Sequence, residues 1–325
     1  MRVARYYDNR DVRLETMPVP KIGAGEILVK VRASGICGTD VMEWYRVGKG
    51  PRILGHEIAG DVAESMSDRY KAGDRVFVSH HVPCNRCGYC LAGNHTACDT
   101  LHRGNYYPGG YSEFVRVPAI NVEYGVYVLP GKVSYDEGTM IEPLACAVRG
   151  LRLLDVGKGQ TVLVLGAGVS GILNIQLAKL LGARVVVTDI DGYRMRKARE
   201  FGADEVIHAS GEIGEKADKV VVCTGAYEAV EQAFRCVDRK GSILLFAVPG
   251  RDIVVPIPDF WRNEVTLTAS YGAAPADLEE ALALIKERRV NVRDTITHRF
   301  PLDKIQEAFD IVVEARESLK VVLEP

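Results

Sequence analysis

The sequence predicts an α/β protein of two domains, a β-barrel-like domain followed by a doubly wound parallel sheet. Three observations predict it. Short segments that alternate apolar and polar residues fill the first part of the chain, to about Leu129. From about Tyr135, strands that are apolar throughout alternate with helical patterns. At the first of these strand–helix junctions stands a glycine loop, Gly166-Ala167-Gly168-Val169-Ser170-Gly171. With 325 residues the chain is long enough for two cores.

The elements follow in order. Glu26-Ile27-Leu28-Val29-Lys30-Val31-Arg32 alternates as a half-buried strand does, and Arg75 to Val78 and Glu113 to Val117 repeat the pattern between Gly, Pro and Asn turns. Thr161 to Leu165 is the first continuously apolar strand, and a helix from about Val169 to Leu181 follows it. Arg184 to Thr188 is the second, leading to a helix near Tyr193 to Phe201. Lys219 to Cys223, Ser242 to Phe246 and Val265 to Ala269 continue the series. A helix over Pro275 to Lys286, another near Leu302 to Ala315 and a short strand from Lys320 to Leu323 close the chain.

Bulk composition excludes several classes of function. The formal net charge is -2, with both signs mixed, so nothing argues electrostatically for nucleic acid or an anionic membrane. The first residues lack the apolar run of a signal peptide, and the most apolar stretch, Val162 to Ala183, is interrupted by Asn174, Gln176 and Lys179. A cytoplasmic location is therefore expected. In that reducing compartment eight cysteines point to metal binding before disulfides.

Four of the cysteines, Cys84, Cys87, Cys90 and Cys98, lie within fifteen residues. Zinc in structural sites takes four soft ligands in a tetrahedron, and spacings this short let one loop wrap the ion. Gly88 and Gly93 permit the tight backbone turns. A closed shell of four thiolates leaves no place for substrate, so this zinc is expected to be structural.

The glycine loop has the strand before it and the helix after it that a dinucleotide site requires. Gly166 allows the turn, Gly168 the approach of pyrophosphate to the amides near Val169 and Ser170, and Gly171 the contact of helix with strand. Asp189 ends the second strand, where a carboxylate accepts bonds from ribose hydroxyls and repels a 2′-phosphate. That favours NAD over NADP, with Arg194 nearby as a contrary sign.

Cys37, in Gly35-Ile36-Cys37-Gly38-Thr39-Asp40, and His56, in Gly55-His56-Glu57, complete a pattern. With the cysteine lobe and the glycine loop in this order, the chain resembles the zinc-dependent medium-chain dehydrogenase/reductase superfamily, closest to its polyol (sorbitol) and threonine dehydrogenase branch. The resemblance covers nearly the whole chain. It implies an α/β fold with a GroES-like β-barrel catalytic domain at 1–140, carrying the zinc lobe at about 80–100. A Rossmann domain at 141–272 and a C-terminal return to the first domain at 273–325 complete the expected layout. It implies two zinc ions per chain and catalytic residues Cys37, Thr39, His56, Glu57 and Glu142. Cys37 and His56 would be direct ligands of the catalytic zinc. Glu57 would be a third ligand or a neighbour able to move onto the metal, and Glu142, in Ile141-Glu142-Pro143-Leu144, would approach directly or through water. Thr39 would pass the substrate proton on, a helix cap being the plainer reading of a threonine before an aspartate, and Asp40 would orient His56. Arg194 would stack on adenine, and Thr224 and Gly225 would run past the nicotinamide ribose.

The implied activity is hydride transfer from a secondary alcohol of a polyol, sugar or amino-alcohol to NAD, by a homodimer or homotetramer whose small-molecule substrate sits at the carboxyl ends of the strands. Two rivals are an NADP-linked aldehyde or ketone reductase and a non-catalytic NAD-binding sensor. The sequence departs from the family at Met42, where many relatives have a relay histidine. The segment Arg103 to Tyr111, rich in glycine and tyrosine, is open to two readings, a border of the substrate cleft or a turn with aromatic packing.

Overall fold

The computed structural model describes residues 1–315 and 317–325, which fall into two compact units. One unit holds Met1–Pro143, Ala273–Arg288 and Val292–Pro325; the other holds Leu144–Gly272 and Arg289–Asn291.

The first unit is built on a seven-stranded sheet. Its path runs Ile296–Pro301, Lys320–Glu324, Ile27–Gly35, Glu57–Ser65, Arg75–Ser79, Val126–Val128, with Phe114–Val117 paired to Ile27–Gly35 off that path. The long strand Ile27–Gly35 organises the rest. It pairs with Phe114–Val117 on its first half, with Lys320–Glu324 at its far end and with Glu57–Ser65 throughout. Two register irregularities, at Leu28/Val29 and Val31/Ala33, bend it enough to serve all three partners. Val29, Val31, Ile58, Val62, Val76, Val78 and Val115 fill the interior, and each such side chain contributes about 1.5–3 kcal/mol by leaving water.

Antiparallel pairing dominates this sheet, as expected, with one exception. Ile296–Pro301 and Lys320–Glu324 are parallel, which the intervening helix Ile305–Glu314 makes possible as a crossover. The strand Ile296–Pro301 was not legible in sequence, because Thr297, His298 and Arg299 interrupt any apolar run. Phe309 of the crossover helix packs on Tyr6 and Tyr111, closing a second core. A separate three-stranded sheet, Asp11–Thr16, Arg2–Asp8, Arg52–Ile53, completes this unit.

The second unit carries a six-stranded parallel sheet. Its spatial order is Glu205–His208, Arg184–Asp189, Thr161–Leu165, Ala217–Val222, Val237–Leu245, Thr266–Ala269. The first strand in sequence lies in the middle, with the second on one side and the fourth on the other. The chain therefore winds outward in both directions from Thr161–Leu165, the Rossmann order with its switch point at the end of that strand. Val162 to Leu165 and Val185 to Val187 are buried on both faces, which explains their unbroken apolar runs. The helices Val169–Leu180 and Gly192–Glu200 each start and stop within a residue or so of expectation. Among the described residues no helix is long and apolar enough to cross a membrane.

Candidate metal centres and dinucleotide cradle

The ligand atoms of Cys84, Cys87, Cys90 and Cys98 all lie within 4.8 Å of one another. Asn85 and Gly93 take left-handed backbone conformations to fold the loop this tightly. The amide of Cys84 donates to the sulfur of Cys98 at 3.3 Å, and that of Cys87 to Cys84 at 3.3 Å. Burial opposes ionisation of Cys98, but the amides of Cys84 and Leu101 outweigh it and bring its pKa down to about 6. Burial pushes the Cys90 thiol up to about 12. Four convergent thiols with hydrogen bonds already directed at sulfur suit a soft divalent ion such as zinc.

The second cluster grows from two strand ends. Cys37 follows Ile27–Gly35 in a turn closed by the Asp40 amide donating to its carbonyl at 2.9 Å. His56 and Glu57 stand where the chain enters Glu57–Ser65, just after Gly55 at φ +90°. A side chain at Gly55 would also meet the Tyr111 ring at 2.7 Å, so glycine is required there twice over. Cys37, His56 and Glu57 offer ligand atoms within 4.8 Å of one another.

Asp40, fully buried, faces this cluster from behind. Its carboxylate accepts from Arg46 Nη2 at 2.9 Å, from the Tyr111 hydroxyl at 2.6 Å and from the Cys37 amide at 3.3 Å. His56 Nδ1 lies 3.6 Å from it, which turns Nε2 away from Asp40. Burial works against a charged His56 ring, yet Asp40 and Cys37 beside it hold its pKa well above the usual value. The Thr39 hydroxyl donates to the Cys37 sulfur at 3.3 Å. Thr39 caps no helix: the short helix Glu43–Arg46 begins after Met42, with no side-chain cap. Glu142 sits in the first turn of Ile141–Leu154 and is 9% exposed, so it is no surface carboxylate. Its charge reaches His56, but its oxygens lie outside the close three-residue cluster.

Glu57 supplies the test of whether a metal belongs here. One carboxylate oxygen, Oε2, accepts from the ammonium of Lys320, while Oε1 is buried and has no hydrogen-bond partner. An orphaned carboxylate oxygen costs free energy unless something positive meets it. Cys37, His56 and this oxygen of Glu57 form a zinc-type donor set that would hold a cation able to meet that need.

In the second unit the glycine loop turns at Gly166, φ +95°, whose amide donates to the Thr188 carbonyl at 2.8 Å. A Cβ on Gly171 would run into the Gly166 carbonyl, so this glycine brings helix and strand together. At Gly168 the space is open, and the nearest atoms are those of the Arg194 guanidinium at 3.9 Å. The helix Val169–Leu180 begins there with no side-chain cap, leaving the first amides, including those of Val169 and Ser170, available to an anion. Asp189, 7% exposed, accepts the Ala167 amide at 2.6 Å and the Asp191 amide at 2.9 Å. Thr224 and Gly225 follow the central strand Ala217–Val222, with Thr224 Oγ1 accepting the Ala226 amide at 3.3 Å. An uncapped helix end over open space beside a carboxylate fits a pyrophosphate and its ribose.

Residues 23–124 match the family model of the alcohol dehydrogenase GroES-like domain, and residues 170–287 that of the zinc-binding dehydrogenases. Sheep (Ovis aries) sorbitol dehydrogenase is 32% identical over 92% of this chain and 90% of its own length. The chain belongs to the zinc-binding alcohol and polyol dehydrogenase family. A zinc-binding dehydrogenase of Sinorhizobium meliloti, solved with NADP, superposes with a TM-score of 0.86 at 27% identity, covering 100% of this chain and 99% of that one. An alcohol dehydrogenase of Escherichia coli, solved with NADH, gives 0.88 at 25% identity with the same coverage, 100% and 99%. The zinc-binding, NAD(P)-dependent character of the family thus agrees with the donor sets of this member.

Sequence reasoning missed several residues around this dehydrogenase's Cys37, His56 and Glu57 cluster. Lys320 and Tyr111 come from strand and loop segments far off in sequence, and Arg46 carries no motif at all. A faint signal existed for Lys320, a charged residue heading an otherwise apolar buried strand. Of the two readings of the Arg103 to Tyr111 segment, aromatic packing holds for Tyr106 and Tyr111, which are buried, whereas Tyr107 is exposed.

Proposed function

We propose that this enzyme oxidises a secondary alcohol of a polyol, sugar or amino-alcohol with NAD. The observation that carries the reading is the convergence of Cys37, His56 and the unpartnered oxygen of Glu57. When bound, zinc supplies Lewis acidity at the alcohol oxygen and the nicotinamide accepts the hydride. Cys37 and His56 are the assigned ligands of that zinc, with Glu57 as the third and Glu142 as an acidic neighbour. Asp40 fixes the orientation of His56 by facing Nδ1, so that the other nitrogen is presented to the metal. The Thr39 hydroxyl, beside the Cys37 sulfur, would hold the substrate hydroxyl and relay its proton, releasing its own toward the cofactor ribose and solvent as it accepts one. Cys84, Cys87, Cys90 and Cys98 bind a second zinc whose role is structural.

For the cofactor, Gly166, Gly168 and Gly171 with the amides of Val169 and Ser170 hold the pyrophosphate, Asp189 the adenosine ribose, and Thr224 and Gly225 the segment beside the nicotinamide. A second reading, NADP as the cofactor, has one observation in its favour: Arg194 Nε is buried without a partner, next to the open space at Gly168. A carboxylate at Asp189 opposes it, and we favour NAD.

We also infer a homodimer or homotetramer. The edge strand Thr266–Ala269 is preceded by an exposed apolar group in which Trp261 is 79% exposed, with Ile257 and Val254 beside it in sequence. A second copy would cover both edge and patch. We further infer a cytoplasmic location, where reducing conditions would keep the eight cysteines available as thiols.

The test is NADH formation by zinc-loaded protein across polyols, sugars, diols, threonine and simple alcohols, repeated with NADP. Activity abolished by Cys37→Ser supports the reading and identifies the substrate class. Silence across the panel, with zinc and NAD bound, would favour the binding-only rival.

A further inference from the structure

Arg46 stands at the last position of the short helix Glu43–Arg46, nine residues beyond Cys37, and only 13% of its side chain is exposed. Its Nε donates to the Thr39 carbonyl at 2.9 Å. Its Nη2 reaches both the Thr39 hydroxyl, at 3.2 Å, and Asp40 Oδ1, at 2.9 Å. Both of these residues touch candidate ligands, Cys37 and His56, from outside. The amide and hydroxyl of Thr39 both donate to the Cys37 sulfur, at 3.5 and 3.3 Å. Asp40 accepts from the Cys37 amide and faces His56 Nδ1. One guanidinium therefore ties together the supports of both ligands.

We propose that Arg46 is a positioning residue for the metal centre, holding Thr39 and Asp40 so that Cys37 and His56 keep their ligand geometry. This rests on the reading of Cys37, His56 and Glu57 as a zinc site. Two arguments support it beyond the contacts. The first is charge. Around the centre the structure gathers the Cys37 sulfur and the carboxylates of Asp40, Glu57 and Glu142, all buried or half-buried. Arg46 brings a full positive charge to the buried Asp40 carboxylate of that group. Asp40, wholly shut from water, needs a partner of full charge in the same enclosure. The second is shape. Three bonds from two adjacent nitrogens onto two neighbouring residues require a planar fork, which an ammonium cannot offer.

The experiment uses the intact two-zinc protein and follows zinc release to a chromogenic chelator, with the four-cysteine zinc as internal reference. Cobalt replacing the zinc gives a second readout through its thiolate charge-transfer band. Arg46→Met is expected to lose the more labile zinc about 10–100-fold faster, the range for removing a group that supports a metal ligand, and to shift the cobalt band. Arg46→Lys, which restores charge without the fork, is expected to fall between Met and wild type. Release at the wild-type rate with an unchanged cobalt band in Arg46→Met would overturn the proposal. Loss of the four-cysteine zinc as well would count against it, since that marks general unfolding. Failure of the underlying reading looks different: the wild type would hold zinc only at the four-cysteine lobe, and Cys37→Ser would leave its metal content unchanged.

Discussion

Lys320 donates to Glu57 across 263 positions of sequence, and both side chains are 1% exposed. The pair joins the last strand, Lys320–Glu324, to the strand that begins at Glu57 and carries the candidate ligands at its entrance. Gly35 lies beside it: a Cβ there would stand 2.7 Å from the Lys320 side chain. The missing side chain at Gly35 is what leaves room for a buried ammonium. Lys320 occupies only one oxygen of Glu57, and the other is buried with no hydrogen-bond partner.

Removing one partner of such a pair leaves an unpaired buried charge, at a cost of about 3–5 kcal/mol. Lys320→Met is accordingly expected to lower the unfolding free energy by that amount, measured by urea denaturation of protein whose Cys37, His56 and Glu57 centre carries no metal. The double variant Glu57→Gln/Lys320→Met should recover a large part of the loss, since no charge is then stranded. A single variant as stable as wild type would contradict the assignment.

The contrast between Lys320 and Cys37 explains what the sequence could reveal. Cys37, the four-cysteine lobe and the glycine loop are readable because their chemistry sets local spacing: short loops wrap an ion, and a tight turn must open onto a helix. The parallel sheet is readable because strands buried on both faces become unbroken apolar runs. Lys320, Tyr111 and Arg46 act through pairings made only by the fold, and nothing local separates them from the chain's many other lysines, tyrosines and arginines. The strand Ile296–Pro301 escaped for a similar reason. It is an outer strand of its sheet whose polar residues erase the alternation, and only its parallel partner Lys320–Glu324 defines it.

His81 predicts a pH dependence. Burial, helped by the nearby His56 and His102, pushes its pKa down to about 3. The ordinary value is about 6.5, so the unfolded chain binds a proton over the interval between them and the folded one does not. The stability involved is fully present above about pH 6.5 and is lost as pH falls toward about 3, with a slope of at most about 1.4 kcal/mol per pH unit. Unfolding free energies at neutral and mildly acidic pH should show this slope reduced in His81→Gln. An identical pH dependence in variant and wild type would remove His81 from the account.

Asp189 predicts cofactor discrimination. Its carboxylate already accepts the Ala167 and Asp191 amides, so it is fixed in place as an anion at the end of its strand. A 2′-phosphate brought there meets like charge, a cost of several kcal/mol. Asp189→Asn keeps one acceptor and the shape but removes the charge. The ratio of kcat/KM for NAD over NADP is expected to fall roughly 10–100-fold, about 1.4–2.7 kcal/mol. A ratio that does not move would assign the choice to Arg194.

Thr39 is the place to test proton transfer. Its hydroxyl lies between the Cys37 sulfur, to which it donates at 3.3 Å, and Arg46, from which it accepts at 3.2 Å. Met42, where the resemblance leads one to expect a relay histidine, has no group that can carry a proton further. The relay is therefore assigned to the Thr39 hydroxyl, and its removal should cost the contribution typical of a positioned acid–base group, about 10²–10⁴-fold. Thr39→Val, nearly isosteric, is expected to lower kcat by about 100-fold or more while KM for NAD stays within about twofold. Thr39→Ser, which restores the hydroxyl, should return most of the rate. The pattern separates chemistry from packing, because Val fills the space as well as Thr and Ser fills it less well. If Val retained the rate and Ser lost it, the side chain would matter for its methyl group, and the proton would have to leave by a route that does not pass through Thr39.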